Sequence, residues 1–179
     1  MAIVKVVAPR KNVSAKTGKR DSRAATLAVT YYTWGRGTQR QAARGEWYGP
    51  DGPQTYEDVR GWARKQAREH DYTFKIVLSA EAGADLDAPA WQRVMRSQSV
   101  FTDWRLIANA DTDNRHAHVV VFGDRAYGAK KDKILESRVF KPWFAGLRAQ
   151  INREEQQYHA DLLRRREEER ERSLQEIGL

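Results

Sequence analysis

Alternating and periodic apolar positions divide this chain into strands and helices. Short runs of β-branched and aromatic residues predict strands, whereas apolar residues that recur every three or four positions predict helices. The predicted strands are residues 3–8, 72–79, 103–109 and 115–122. The predicted helices begin at Asp21 or Ser22, at Thr55, at Asp87 and near Glu136. This order predicts an α/β fold of the α+β type, in which helices flank a mostly antiparallel sheet.

Local signals set the ends of several elements. Pro9 is expected to end the first strand, and Gly35 is expected to end the first helix. Thr55 and Asp58 have the spacing of a capping box, with Asp in the place usually held by Glu or Gln. Residues 45–53 are rich in Gly and Pro and predict a loop.

The last predicted helix changes character along its length. Its first part has an apolar face, formed by Phe140, Phe144, Leu147 and Ile151. Beyond Asn152 it becomes rich in Arg and Glu at spacings that pair opposite charges, which predicts a solvated helix without a core. We therefore expect one domain over residues 1–151 and a charged helical extension over residues 152–179.

Composition and charge narrow the class of function. The chain has 179 residues and no cysteine, which excludes disulfides, zinc–thiolate sites and thiol catalysis. Residues 1–44 hold ten Lys and Arg against one Asp, and the whole chain has a net charge of +8, so a nucleic acid is the expected partner. A membrane partner is not expected, because no apolar run approaches the length of a bilayer span, and the expected location is cytoplasmic.

His116 and His118 flank one apolar residue at the start of the last predicted strand. Because side chains alternate along a strand, both imidazoles are expected on one face. Two neutral imidazoles side by side can hold a divalent metal ion. The alternative is a pair of polar residues at the start of a strand, with no ligand. On a basic chain, the pair favours metal-dependent chemistry on a phosphate backbone.

Three segments resemble motifs of the HUH endonucleases, particularly the conjugative and mobilisation relaxases, and they occur in the family's order. Residues 109–121, NADTDNRHAHVVV, resemble the motif with the histidine pair. Residues 24–33 resemble the N-terminal helix that carries the catalytic tyrosine, and residues 72–86 resemble the strand and turn between these two motifs. The resemblance covers about residues 1–151 and implies an HUH-type sandwich of helices on an antiparallel sheet.

The resemblance implies a metal ion that grips the scissile phosphate of DNA, held by His116, His118 and Asn109. Asn109 stands where the family usually has a third histidine, and Arg115 stands where it usually has proline. An amide oxygen suits Mg²⁺ or Mn²⁺ better than a soft metal, so one of these is the expected cofactor. Weaker metal binding or loss of activity is the expected consequence of the missing histidine.

The resemblance also implies a tyrosine nucleophile, which forms a 5′-phosphotyrosyl link and conserves the energy needed to rejoin the strand. Tyr31 falls near the family's catalytic position and Tyr32 is adjacent. The two are about 100° apart on a helix, so we expect one of them to face the metal and favour Tyr31. Asp111 matches an acidic position that orients a histidine or helps to deprotonate the tyrosine. In the layout of replication initiators the candidate is instead Tyr158.

Basic residues with interleaved aromatics in the first third of the chain predict contacts with single-stranded DNA. The candidate DNA-binding residues are Arg10, Lys11, Lys16, Lys19, Arg20, Arg23, Arg36, Arg40 and Trp34. An equal alternative is a solvated basic surface with aromatic core anchors, and this alternative also applies to Trp47 and Tyr48. Three further tryptophans lie in periodic apolar segments and are expected in the core: Trp91, Trp104 and Trp143.

Together these features predict a metal-dependent, site- and strand-specific DNA nickase that acts through phosphotyrosine. The expected setting is plasmid mobilisation, conjugation or rolling-circle replication, with single-stranded DNA at an origin as substrate. One alternative is a degenerate HUH domain that binds DNA or recognises an origin without cleaving it. Another is an interaction protein whose charged C-terminal helix binds accessory proteins of the relaxosome.

Overall fold

The computed structural model describes residues 2–35, 43–81, 84–109, 116–123 and 140–176. The strands are β1 (Ile3–Lys11), β2 (Trp47–Gly49), β3 (Gly52–Gln54), β4 (Tyr72–Ser79), β5 (Trp104–Asn109) and β6 (His116–Gly123). The helices are α1 (Arg23–Trp34), α2 (Tyr56–Glu69), α3 (Ala88–Arg96) and α4 (Phe140–Glu176).

The described strands form one antiparallel sheet in the order β1-β4-β6-β5-β2-β3. β6 therefore lies inside the sheet, with β4 and β5 as its neighbours. β5 and β6 pair back on each other, as the sequence predicts. This arrangement confirms the predicted α+β class with an antiparallel sheet.

Helices cover the sheet on both faces, each over its own apolar core. The helices α3 and α4 pack on one face, where the core includes the three predicted core tryptophans Trp91, Trp104 and Trp143. The helices α1 and α2 pack on the other face, over Ile107, Val120 and Phe122. Burying side chains of this size stabilises the fold by about 1.5–3 kcal/mol each. The two cores fix the helices against opposite sides of β6.

The prediction that Pro9 ends the first strand is wrong. β1 continues to Lys11, and its register against β4 shifts between Val7 and Arg10. Proline has no N–H to donate, so it is tolerated in an edge strand or at a bulge. β1 meets both conditions, because it is the outermost strand of the described sheet on its side.

The prediction of a loop over residues 45–53 is also wrong in part. Trp47 pairs with Gln54 in a short hairpin formed by β2 and β3, and β2 extends the sheet from β5. Gly52 lies at the turn with φ +137°, a conformation that a side chain disfavours. The Trp47 Nε1–H donates to Thr33 Oγ1 at 2.9 Å, which ties the hairpin to α1.

The three predicted helix starts that fall on described residues, at Asp21 or Ser22, Thr55 and Asp87, agree with the structure. Thr55 and Asp58 form the capping box of α2, each side chain accepting from the other residue's backbone N–H. At α1 the Asp21 carboxylate accepts from the Arg23 backbone N–H at 2.8 Å, whereas the Ser22 side chain makes no capping bond. α1 ends at Gly35, which has φ +76°.

α4 is a single helix of 37 residues, about 55 Å long. The expected start near Glu136 and residues 177–179 lie outside the described residues, and the expected boundary at residues 151 and 152 falls inside the helix. α4 still packs beyond that point, since Glu154 is buried and pairs with Arg93 of α3 at 2.7 Å. From Leu163 to Glu176 the helix is exposed. None of the described helices has the length and apolar character needed to cross a membrane.

Candidate metal centre and tyrosine pair

The histidine pair lies at the start of β6, on the face that α1 and α2 cover. His116 is level with Ser79 of β4 and Asn109 of β5, and His118 is level with Val77 and Ile107. The intervening Ala117 points to the opposite core, under α3 and α4. The alternation of β6 therefore brings both imidazoles to one face, as predicted.

The three predicted metal ligands meet at this position. The Nε2 atoms of His116 and His118 are 3.2 Å apart, and Asn109 Nδ2 is 3.3 Å from His116 Nε2. Asn109 is only 2% exposed, and its Oδ1 atom is buried without a hydrogen-bond partner among the described residues. A buried amide oxygen without a partner costs about 1–3 kcal/mol unless something satisfies it.

The chemistry of this cluster fits a divalent ion. Two nitrogens bound to one ion at about 2.0–2.2 Å lie about 3.0–3.4 Å apart, which matches the separation of the two Nε2 atoms. Among the residues that the structure describes, no three His, Cys, Asp or Glu side chains group together, and the amide of Asn109 is the third polar group beside the two imidazoles. In the structure the amide nitrogen of Asn109 faces His116, and a half-turn of the amide would put its oxygen in that position instead. The amide oxygen suits Mn²⁺ or Mg²⁺, whereas the two imidazoles suit transition metals such as Zn²⁺ or Fe²⁺.

The two adjacent tyrosines occupy different environments. The Tyr32 ring stacks on the His118 ring, with centroids 4.1 Å apart and planes at 11°, and only 4% of the residue is exposed. Burial raises the pKa of Tyr32 above its ordinary value, and the neighbouring Tyr31 adds to this increase. Tyr31 is 41% exposed, and its ring centroid is 5.7 Å from that of Tyr32. Tyr32 therefore packs against the cluster, whereas Tyr31 is partly exposed and lies next to Tyr32.

The other catalytic candidates have different positions. Asp111 lies outside the described residues. Tyr158 of α4 packs against the core on the face opposite His118. The sheet therefore separates Tyr158 from the histidine pair.

The basic loop lies far from the histidines. Val13 and Arg20 form a bridge beside the start of β4, and Arg20 pairs with Asp71 at 2.7 Å. His116 is level with the other end of β4, about 23 Å away along the strand. The cations Lys11, Lys16, Lys19 and Arg23 are exposed at the loop end, as is Arg10 at the end of β1. The fold therefore places the predicted basic loop and the predicted histidine pair at opposite ends of β4.

The remaining DNA-binding candidates are divided between the core and undescribed positions. Trp34 is half-buried and its ring meets Tyr56 edge-on at 5.8 Å, which limits its use as a stacking platform. Trp47 is buried, so it is a core anchor. Arg36 and Arg40 lie outside the described residues.

From the sequence both tyrosines are candidates, and Tyr31 is favoured as the one that faces the metal site, whereas in the structure it is Tyr32 that stacks on His118. Sequence reasoning missed Ser79 altogether. The stack of Tyr32 on His118 depends on how α1 docks on β6, for which the sequence carries no direct signal. Ser79 is level with His116 on the adjacent strand, and the pairing of β4 with β6 alone reveals this.

Comparisons with protein-family models, with curated proteins and with solved structures found no match.

Proposed function

We propose that this protein is a metal-dependent DNA nickase of the HUH relaxase type, which cleaves one strand through a tyrosine. The observation that carries the proposal is the cluster of Asn109, His116 and His118. Its two Nε2 atoms are 3.2 Å apart, and its buried amide oxygen has no hydrogen-bond partner in the part of the chain that the structure describes. The partly exposed Tyr31, which lies next to Tyr32, and the basic charge of the chain support it.

Asn109, His116 and His118 would hold the divalent ion, which when bound polarises the scissile phosphate and neutralises developing charge. Tyr31 supplies the nucleophile, because its side chain is more exposed than that of Tyr32. The Tyr31 oxygen bonds to phosphorus, the bond from phosphorus to the 3′ oxygen breaks, and the tyrosine proton ends on that 3′ hydroxyl. The products are a 5′-phosphotyrosyl link and a free 3′ end, which the reverse reaction rejoins.

Tyr32 has a positioning role in this proposal. Its ring holds the His118 ring by stacking, and the raised pKa of its hydroxyl disfavours the phenolate that an attacking tyrosine forms. The two neighbouring tyrosines therefore have separate tasks. Tyr31 reacts, and Tyr32 orients a ligand.

The test is a cleavage assay on a denaturing protein gel. Labelled single-stranded oligonucleotides that tile the intergenic DNA beside the protein's own gene are incubated with it in Mn²⁺ or in EDTA. We expect a labelled, slower-migrating protein band in Mn²⁺ alone, absent in Tyr31→Phe and retained in Tyr158→Phe. Loss of the band in Tyr32→Phe instead would transfer the nucleophile to Tyr32. A band that survives both α1 substitutions would refute a nucleophile on this helix.

A second candidate function follows from Asn109, which stands where relaxases usually have a third histidine. In that case the protein is a DNA-binding or origin-recognition module without cleavage. Binding of the same oligonucleotides in EDTA, with no adduct in Mn²⁺ or Mg²⁺, would favour this function over nicking.

A further inference from the structure

Three cations lie on the histidine face of the sheet, between the histidine end and the basic loop. Lys5 is level with Val77, and Arg10 is level with Thr73, on strands β1 and β4. Lys75 is level with Val7 and Val120, so it shares the face of His118 two rows away. Alternation along each strand puts all three side chains on the face that α1 and α2 cover only in part.

These cations have no carboxylate partner in the part of the chain that the structure describes. Among the described residues, none of Lys5, Arg10 and Lys75 forms an ion pair with a carboxylate. Lys75 is half-buried, and both this burial and the nearby Arg10 lower its pKa. Like charges held together without an acid cost free energy in the isolated protein, and a bound anion would recover it.

Exposed apolar side chains lie on β1 and on α1, and Ile3 is on the same face of β1 as Lys5. Ile3 and Leu27 are each 55% exposed, and Tyr31 is 41% exposed. Ile3 is level with Ser79, in the row of His116. α1 begins beside the end of β1 and runs back towards the histidines, where Tyr32 stacks on His118. Tyr31 follows Leu27 by one turn of α1. Leu27 lies opposite Ala25 and Val29, which α1 buries, so Leu27 faces solvent and not the sheet.

We propose that an open strip, formed by Ile3, Lys5, Arg10, Lys75 and Tyr31, binds the backbone of single-stranded DNA. Lys5, Lys75 and Arg10 contact successive phosphates, and the apolar side chains accept unstacked bases. The inference rests on the proposed nickase function. It deepens that function by naming where the substrate strand lies when Tyr31 meets the scissile phosphate.

The position of the strip explains how two separated features act together. The histidines and the basic loop lie at opposite ends of β4, about 23 Å apart. Lys5 and Lys75 lie between these ends, two rows of the sheet apart by register. A single strand that follows β1 and β4 therefore meets cations along its whole course from the loop to the histidines.

The test is the salt dependence of oligonucleotide binding in EDTA, where no cleavage occurs. Fluorescein-labelled oligo(dT) is titrated with the wild-type chain, with Lys5→Gln/Lys75→Gln, and with Lys65→Gln/Lys141→Gln. The last pair removes the same charge from exposed positions on α2 and α4. Each lost phosphate contact lowers the slope of log K against log salt by about 0.7. We therefore expect the strip pair to lower the slope by about 1.4 and to weaken binding about 25-fold at 0.1 M salt.

The control pair should leave the slope unchanged. Equal losses in the strip pair and the control pair would overturn the strip, and a metal-dependent adduct in the same preparation would leave the nickase standing. Equally tight binding of a duplex, with the same loss of slope, would overturn the preference for a single strand. Binding that depends on the strip, with no adduct in Mn²⁺, would retain the strip and overturn only the nickase.

Discussion

Replacing Tyr32 by leucine removes the ring that stacks on His118 while keeping an apolar side chain in the core. The stacked rings are 4.1 Å apart and nearly parallel, so the imidazole loses its flat support on one side. His118 then samples more orientations, and fewer of them present Nε2 beside that of His116. A metal ion held by both nitrogens must restore the lost order when it binds.

The size of the effect follows from the energy of the stack. Aromatic pairs are worth about 0.5–1.5 kcal/mol beyond their burial. If that energy orients His118, its loss weakens Mn²⁺ binding by about 2- to 12-fold. Tyr32→Phe keeps the stack and removes a hydroxyl that has no hydrogen-bond partner among the described residues. We therefore expect Mn²⁺ affinity in Tyr32→Phe to equal that of the wild type.

The assay is the free Mn²⁺ signal in electron paramagnetic resonance during titration, with His118→Ala as the reference for a lost ligand. Circular dichroism at the same temperature checks that each variant is folded. Wild-type affinity in folded Tyr32→Leu would refute the positioning role. An equal loss in Tyr32→Phe would assign the effect to the hydroxyl, and the absence of Mn²⁺ binding in the wild type would refute the metal centre itself.

Four further substitutions or deletions test the site and its support. Asn109→Asp should lower the melting temperature in EDTA, because it buries a carboxylate, and should tighten Mn²⁺ binding about tenfold by adding charge to the ligand. Thermal shifts with and without Mn²⁺ measure both effects, and a smaller shift on adding Mn²⁺ than in the wild type would contradict the ligand role. Thr33→Val leaves the buried Trp47 N–H without its acceptor and should lower the free energy of unfolding in urea by about 1–3 kcal/mol. A decrease below about 0.5 kcal/mol would contradict a stabilising role for this hydrogen bond. Lys75→Met should raise the melting temperature at pH 7, because the lowered pKa of Lys75 means that folding disfavours its charged form. This gain in melting temperature should vanish at pH values above the ordinary lysine pKa, and a gain that persists at such pH would come from packing and not from charge. Ending the chain after Leu162 removes an exposed helix segment, so the melting temperature should shift by less than about 2 °C and the DNA adduct should still form. Loss of the adduct would show that residues 163–179 take part in the reaction.

Local signals in the sequence were sufficient where one interaction dominates the outcome. The capping box of Thr55 and Asp58 and the alternation through His116 and His118 depend on near neighbours in the chain, and the structure agrees with both. The hairpin at Trp47 was missed because strands of three residues are too short to show alternation. Its pairing depends on Trp47 reaching Thr33, a contact between distant segments.

The candidate site shows the same division. The sequence indicated Asn109, His116 and His118 as a group, but their separations depend on the register of β4, β5 and β6. The different exposures of Tyr31 and Tyr32 depend on which side of α1 meets the sheet. Alternation within β4 predicts that Lys75 and Val77 share a face of the sheet, but the local pattern does not show that β1, with Lys5 and Arg10, is the neighbouring strand.

The prolines at the two edges of the described sheet affect how the protein behaves at high concentration. Pro9 lies in β1 and Pro53 lies in β3, the outermost described strands on either side. Proline on an edge strand is one of the features by which sheets discourage pairing with a strand from another molecule. Both described edges of this sheet are therefore poorer templates for the strand addition that leads to aggregation.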